Sequence, residues 1–514
     1  MKYPIGIQHF ESLREDGFVY VDKTKIIHDI VSDGRYYFLS RPRRFGKSLL
    51  ISTLKAYFEG KRDLFQGLAL EQLEQEWRVH PVLRLDLNTE KYDSPDSVDK
   101  KLDREFKIWE SLYGADPAET TLPMRFEGII RRAYEKTGER VVILVDEYDK
   151  PLLQAISSKS LQDEYRATLK SVYGALKSMD GCIRFALLTG VTKFSKVSVF
   201  SDLNNMEDLS MNTAYYDLCG ISEQELHDVF DEEVGELAKA NGQTKEEAYE
   251  MLKQRYDGYH FAPDTLGMYN PFSVLLTLKN RQYGSYWFST GTPTYLVELM
   301  KEVDMNPTEL SGYEASASEL DSVQIKVDNP IAVLYQSGYL TIKDYDRSVR
   351  LYTLDYPNEE VKEGFVSFLM PYYTPISQND SPSFVGKFVR EVRNGKVDAF
   401  MLRLKALMAD TPYELIRDLE VHYQNVMFIF TKLMGLYVQA EYRTSRGRID
   451  LTIGTDRYVY IIELKLDGSA EEALAQINEK DYALPFAVDG REIVKIGANI
   501  TSETRNLERW VVEG

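Results

Sequence analysis

Cysteine is nearly missing from this chain. Its 514 residues include two, Cys182 and Cys219, too few for a disulfide framework or a cysteine-based zinc cluster, so a reducing compartment is the expected setting. Positive charge is scarce as well: 62 Lys and Arg stand against 81 Asp and Glu, a formal net charge of −19. Nonspecific coating of nucleic acid draws its affinity from cations that neutralise phosphates, so this balance excludes it and leaves only local contacts. No uninterrupted apolar run reaches the ~20 residues that span a bilayer. The opening Met1-Lys2-Tyr3-Pro4-Ile5-Gly6 lacks the apolar centre of a signal peptide, and no low-complexity tract points to extended disorder. The expectation is a soluble, cytoplasmic protein with no membrane role, long enough for roughly two to four domains.

What is present begins with a strand, a loop and a helix. Tyr36-Tyr37-Phe38-Leu39-Ser40 has the character of a buried strand, Leu49 to Phe58 has helical apolar spacing, and Arg41-Pro42-Arg43-Arg44-Phe45-Gly46-Lys47-Ser48 lies between. That is the context of a phosphate-binding loop. Backbone N–H groups at the helix start would cradle phosphates, Lys47 would reach the β and γ phosphates, and the Ser48 hydroxyl would hold Mg²⁺. Arg44, Phe45, Gly46 and Leu49 complete the candidate nucleotide-binding stretch. About one hundred residues on, Val141-Val142-Ile143-Leu144-Val145 runs into Asp146-Glu147, a Walker B pattern in which Asp146 serves the Mg²⁺ shell and Glu147 polarises the attacking water. A third apolar run, Ile183 to Leu188, ends in Thr189-Gly190-Val191-Thr192. A hydroxyl there would sit beside the γ-phosphate, and Thr189 and Thr192 are equally eligible. The usual loop opens with glycine where this chain has Arg41, so a permissive backbone position is lost. Arg41, Arg43 and Arg44 either offset triphosphate charge or face solvent.

Near the other end, Gly447-Arg448-Ile449-Asp450-Leu451-Thr452-Ile453 turns at Gly454-Thr455-Asp456 and returns as Tyr458 to Lys465. Alternate strand residues share a face, so Glu463 and Lys465 project together while Leu464 points into the opposite layer; Asp450 on the paired strand can join them. Hard divalent cations take carboxylate and carbonyl oxygens, and a lysine can orient or deprotonate a water. The set suits metal-assisted phosphodiester hydrolysis, and by itself it also suits a solvated charge pair on a strand.

With its surroundings, the segment from about Glu420 to Arg509 resembles the PD-(D/E)XK nuclease superfamily, in the branch fused to an AAA-ATPase-like domain. The family pattern is a helix carrying Glu, then G-R-I-D, E-x-K, and a helix with A-L-x-Q-I followed by Tyr. These stand here as Glu420, Gly447 to Asp450, Glu463-Leu464-Lys465, Ala473 to Ile477 with Gln476, and Tyr482. The first half is similar to the same family in its R-P-R-R-F-G-K-S run, in Asp22-Lys23-Thr24 and in Phe200 to Asn205. The resemblance implies one or two Mg²⁺ or Mn²⁺ ions held by Asp450, Glu463, the Leu464 carbonyl and Glu420, with Lys465 orienting the water and Gln476 supporting the site. It implies nucleic acid, DNA above RNA, as the partner, and ATP as the nucleotide; in so acidic a chain, phosphate recruitment falls to Arg443, Arg446 and Arg448 beside the site. AAA-type relatives often form rings, which makes a homo-oligomer an open expectation.

Between the two, residues 221–416 read as mostly helical and acidic. Glu223 to Ala240 and Lys245 to Tyr256 suit an ATPase lid. Tyr256 to Phe261 and Tyr269 to Phe272 form an aromatic segment in which His260 reads as structural. A helix over Ile331 to Leu340, a hairpin (Leu340 to Tyr345, Val349 to Leu354) and a helix opening at Pro357 suggest a winged-helix-like module, not basic enough for DNA and better suited to docking. Thr374 to Pro382 reads as a loop. The expected fold is a multidomain α/β chain: a P-loop NTPase three-layer sandwich over 1–220, a helical and winged-helix-like region over 221–416, and a restriction-endonuclease-like α/β domain over 417–514. Two functions fit. In one, an ATP-binding, ATP-hydrolysing protein controls a metal-dependent nuclease. In the other, a nucleotide-dependent switch carries a nuclease-like domain that only binds or assembles.

Overall fold

The computed structural model describes residues 1–156, 158–194, 206–288, 296, 310–321, 330–373, 381–408, 426, 430–431, 439–445, 448–487, 490–504 and 506–514. The chain divides into two compact units, one of residues 1–304 and 312–360, the other of 305–311 and 361–514.

The first unit is built on a five-stranded sheet of β1 (Tyr36–Ser40), β2 (Val82–Asp86), β3 (Val141–Asp146), β4 (Ile183–Gly190) and β5 (Glu207–Asp208), in the order β2-β3-β4-β1-β5. All its pairings are parallel. Every residue of β1 and β3 is buried, the reason these strands read as unbroken apolar runs instead of alternating ones. The chain runs outward from β1 to β2 and returns through β3 and β4, so β4 lies between β1 and β3. The C-terminal ends of those three strands therefore meet at one edge, where parallel sheets collect ligand-binding loops. Helix α1 (Thr24–Asp33) precedes β1, and α2 (Lys47–Phe58) follows it, buried around most of its circumference.

Beyond the sheet, α3 (Glu223–Asn241) and α4 (Lys245–Tyr256) each begin with a complete capping box, Ser222 with Glu225 and Thr244 with Glu247. Leu226, Phe230, Val234 and Leu237 form one stripe of α3, packed with Leu252 and Tyr256 of α4 and Val274 and Leu278 of α5 (Pro271–Asn280). Each such side chain contributes about 1.5–3 kcal/mol on burial, against about 1 kcal/mol for a cap, so the stripe sets the packing and the caps set the ends. A second, antiparallel sheet joins β6 (Tyr313–Ser316), β7 (Thr341–Asp346) and β8 (Leu351–Asp355) in the order β6-β8-β7. Short helices α6 (Ala317–Asp321) and α7 (Ile331–Gln336) precede β7, and α8 (Glu359–Tyr373) follows β8.

The second unit centres on a five-stranded sheet ordered β13-β12-β11-β10-β9, from β9 (Gln439–Ser445), β10 (Arg448–Gly454), β11 (Tyr458–Leu466), β12 (Glu492–Thr501) and β13 (Asn506–Glu513). Only β11 and β12 run parallel. The two faces of β11 take different partners. Tyr460 donates its hydroxyl to the Val392 carbonyl at 2.7 Å and sets its ring 5.1 Å from Phe400, on α9 (Ser381–Arg393) and α10 (Val397–Met408) respectively. Val459 and Ile461 pack against Ile477 of α11 (Ala470–Glu479) on the other face. No helix among the described residues is long and apolar enough to cross a membrane.

Candidate functional site

At the C-terminal edge of the parallel sheet, three loops converge on one carboxylate. Asp146 is 1% exposed. The Thr189 hydroxyl, at the end of β4, donates to its Oδ1 at 2.9 Å, and Ser48, in the first turn of α2, lies close enough to act on the same carboxylate. Burial pushes Asp146 above the usual carboxylate range, while Ser48, Thr189 and nearby Lys47 pull the other way. Gly46 sits at φ 95°, a left-handed conformation that favours glycine, and a Cβ there would meet nothing within 4 Å. The start of α2 is thus open to a ligand while its lysine is folded in: Lys47 is 4% exposed and donates to the carbonyls of Arg41 (2.9 Å) and Pro42 (3.1 Å). Glu147, next to Asp146, is held at φ 56°, backbone strain of the kind that gathers at functional sites.

The two threonines that the sequence leaves equivalent take different partners. Thr189 holds Asp146. Thr192 gives its backbone N–H (2.6 Å) and hydroxyl (2.8 Å) to Oδ2 of Asp149, which also accepts the Val191 N–H at 2.9 Å. Asp149 is completely buried, and desolvation, reinforced by Glu147, pushes its carboxyl up to about 6. Sequence reasoning passes over this residue, although a third acid within Asp146-Glu147-Tyr148-Asp149 is a visible signal. It also explains Gly190: a Cβ there would stand 2.6 Å from Asp149 Oδ1 and 2.8 Å from the Tyr148 ring.

Arg41 takes neither of its expected roles. It is 1% exposed, so it does not face solvent, and its guanidinium is spent on the protein's own backbone. One terminal nitrogen donates to the carbonyls of Ser40 (2.9 Å) and Ser210 (2.8 Å), the other to Tyr215 (3.3 Å) and Tyr216 (3.4 Å), and the group lies 4.1 Å over the Phe261 ring. The arginine in place of glycine is a strut. Arg43 is half-buried, with its carbonyl accepting the Trp287 indole N–H at 3.2 Å. Arg44 is exposed, 4.7 Å over Phe272. Phe45 is buried edge-on against Tyr259 (4.7 Å) and Phe261 (5.3 Å), so the aromatic segment anchors the loop. His260 sits within that anchor: its ring Nδ1 meets the Thr265 carbonyl at 2.8 Å and its backbone N–H donates to the Thr341 hydroxyl at 2.7 Å.

Beside Gly46 and Leu49 opens an apolar cavity of about 110 Å³, lined by Val19, Val21, Ile27, Phe45, Ile221 and Phe230 among others. Lys23 lines it and pairs with Glu225 of α3 at 2.6 Å. Its neighbours in the Asp-Lys-Thr run hold the wall: Asp22 accepts from the N–H and hydroxyl of Thr24 and from the Ala69 N–H.

The second candidate site lies on the α11 face of β11. Glu463 is 1% exposed and its Oε1 accepts from the side-chain amide of Gln476, on α11. The helix comes that close because β12 carries Gly497 directly beside Glu463. A Cβ at 497 would stand 2.3 Å from both the Ala470 carbonyl oxygen and the Leu474 nitrogen. Lys465 pairs in register with Asn499, which donates to Glu508 at 3.1 Å and accepts the Arg509 N–H at 3.0 Å, extending the polar face. Leu464 is buried on the opposite face. Asp450 occupies the register position directly across from Glu463, and Arg443 the position across from Asp450 on β9. Glu420 and Arg446 lie outside the described residues, as does the segment from Phe200 to Asn205. Among the described residues, no three His, Cys, Asp or Glu side chains come together to hold a metal ion. Glu463 nonetheless supplies the hard oxygen donor that Mg²⁺ or Mn²⁺ requires.

Comparison with known proteins resolves the chain into two parts. Residues 4–200 match a family described as "Predicted AAA-ATPase", and residues 418–510 match the PD-(D/E)XK nuclease superfamily. A relative from Azotobacter chroococcum mcd 1, described as "Uncharacterized protein in vnfD 5'region", is 35% identical over 529 residues that cover 100% of this chain and 99% of the relative. No solved structure matches.

Proposed function

The chain belongs to the family that joins a predicted AAA-ATPase domain to a PD-(D/E)XK nuclease-superfamily domain, and from that premise we propose that it is an ATP-binding, ATP-hydrolysing protein whose metal-dependent nuclease domain cleaves nucleic acid under nucleotide control. Residues 1–220 form the nucleotide domain, a three-layer P-loop sandwich. Residues 221–416 supply a lid and a winged-helix-like docking region, and 417–514 a restriction-endonuclease-like domain. The observation that carries the reading is the pair of buried acids, each already oriented by a neutral donor: Asp146 by Thr189, Glu463 by Gln476.

In the first site, the open start of α2 receives the phosphates, Lys47 exchanges its loop carbonyls for them, and the apolar cavity takes the purine. Ser48 and Asp146 hold Mg²⁺, and Glu147 polarises water. In the second, Asp450, Glu463, the Leu464 carbonyl and Glu420 hold Mg²⁺ or Mn²⁺; Lys465 orients the water and Gln476 keeps Glu463 in place. The bound cation supplies charge stabilisation for phosphodiester cleavage. DNA is the favoured substrate, drawn in by Arg443, Arg446 and Arg448, and its cleavage is gated by nucleotide state.

One observation favours the switch reading for the ATPase half. Arg41 braces the loop from behind and Lys47 is satisfied by loop carbonyls, a combination suited to tight binding and slow turnover. The test is cleavage of DNA and RNA with Mn²⁺, with and without ATP, comparing the wild-type chain with Glu463→Ala. Mn²⁺-dependent cutting that disappears in the variant is expected; equal cutting by both sinks the nuclease assignment.

A further inference from the structure

The segment that follows β4 is gripped from two directions. On the nucleotide side, Asp149 holds Val191 and Thr192, and the Tyr148 hydroxyl donates to the Thr192 carbonyl (3.0 Å) while accepting the Phe194 N–H (3.0 Å). On the other side stands the layer of β6, β7 and β8 with its two short helices. The Lys193 N–H donates to Gln336 of α7 at 2.7 Å, and Gln336 reaches on to the Leu320 carbonyl of α6 at 2.8 Å. The Lys193 ammonium, on a residue 6% exposed, is shared between Asp208, at the end of β5, and Asp321, at the end of α6, 2.6 Å away.

Asp208 leads back to the phosphate-binding loop. Its carboxylate accepts the Ser210 N–H at 2.9 Å, the Ser210 hydroxyl accepts the Ser40 N–H at 2.8 Å, and the Ser210 carbonyl accepts from Arg41 at 2.8 Å. One lysine therefore joins the end of β1, the end of β4 and the hairpin layer. A small cavity of about 30 Å³, lined by Arg41, Lys193, Asp208, Asp321 and Gln336 among others, lies against it. Lys193 holds Asp208 and Asp321 at the same time, so displacement of the β4 end drags Asp321 along or breaks that outer pair. That is a discrete response in place of a graded one.

We propose that Lys193 is a positioning residue that passes the nucleotide state from Thr189–Thr192 to the hairpin layer through Asp321. The relay rests on the nucleotide-binding reading above. Asp321 is its separable end, because that side chain is 47% exposed against 27% for Asp208.

The experiment uses the full chain, with ATP binding measured by a fluorescent ATP analogue and amide hydrogen exchange followed over 313–321 and 331–355 with and without Mg²⁺ and ATP. In the wild type, ATP is expected to change exchange in these segments by at least about fivefold. Asp321→Asn, which breaks only a half-exposed ion pair, should bind ATP within about threefold of wild type yet lose the exchange response. Lys193→Arg should keep both, and Lys193→Met should lose the response. If Asp321→Asn does not fold, Asp321→Ala carries the same test. A response that survives in the Asp321 variant overturns the relay, as does a wild type that binds ATP without any change in these segments. A wild type that binds no ATP fails differently: it removes the nucleotide reading and the relay together.

Discussion

Asp146 and Glu463 are equally inaccessible, at 1% exposure each, yet they are held by opposite strategies. Asp146 takes its hydroxyl donor from a separate strand-loop unit, Thr189 being 43 residues away, and it stands where three parallel strands end. Glu463 takes its amide donor from Gln476, 13 residues along the chain, and its register partner Asp450 from the adjoining hairpin strand. The first site exists only when a whole sheet has assembled; the second is nearly a local product of strand, turn and helix. The difference predicts that damage to the sheet will be felt at the nucleotide site first, while the second site depends on how closely one helix approaches one strand.

The comparison can be broken most sharply by removing one key side chain from each site. Glu463→Ala should lower metal-dependent cleavage by at least about a hundredfold and leave ATP binding intact. Lys47→Ala should do the reverse, losing ATP binding in a titration while metal-dependent cutting without ATP persists. If either variant silences both activities with its fold unchanged, the sites are not separable.

Next in size are the glycines that admit each site's second layer. Gly497→Ala drives a methyl group into the backbone of α11 and should destabilise the second unit by about 3 kcal/mol, whereas Gly190→Ala meets side chains, the Asp149 carboxylate and the Tyr148 ring, and should cost about 1–2 kcal/mol. Denaturant titration resolves the order, and the reverse order would mean that α11 can move aside.

A pH measurement sharpens the electrostatic side. The Asp149 carboxyl, raised by burial from 3.8 to about 6, binds its proton more tightly folded than unfolded. Its contribution is fully present below about pH 4 and is lost as the pH rises through 6. Asp149→Asn, a permanent mimic of the protonated acid, should match wild type near pH 4 and exceed it at pH 7 by up to about 3 kcal/mol. Equal stability at both pH values would contradict the burial argument. The smallest expected effect is at the caps: Ser469→Ala at α11 and Ser222→Ala at α3 should each cost about 1 kcal/mol, read as a small drop in melting temperature of the unit concerned.

Much of the local structure was legible. The helix read from Glu223 to Ala240 spans Glu223–Asn241, and Lys245–Tyr256 matches the expected ends, because capping residues and an apolar stripe act within a few residues of each other. The strand read from Tyr458 to Lys465 extends one residue further, to Leu466. Arg41 was not legible: a charged residue in a loop reads as solvated or ligand-facing, and only the folded chain reveals four carbonyls and a Phe261 ring around it. Asp149 was passed over for the same reason, since its partners Val191 and Thr192 arrive from another strand. Gly497 carried no signal, because a glycine's importance lies in what approaches it.

The amino-acid sequence by itself determined which chemical groups are available and where the strands and helices that carry them begin and end, since periodicity, caps and turn residues work through near neighbours along the chain. Only the tertiary structure decided that Thr189 and Thr192 serve different acids, that Arg41 is a strut, and that Lys193 ties Asp208 to Asp321. These outcomes depend on which strand lies beside which and on what burial leaves for a charge to bind, quantities that no spacing along the chain contains.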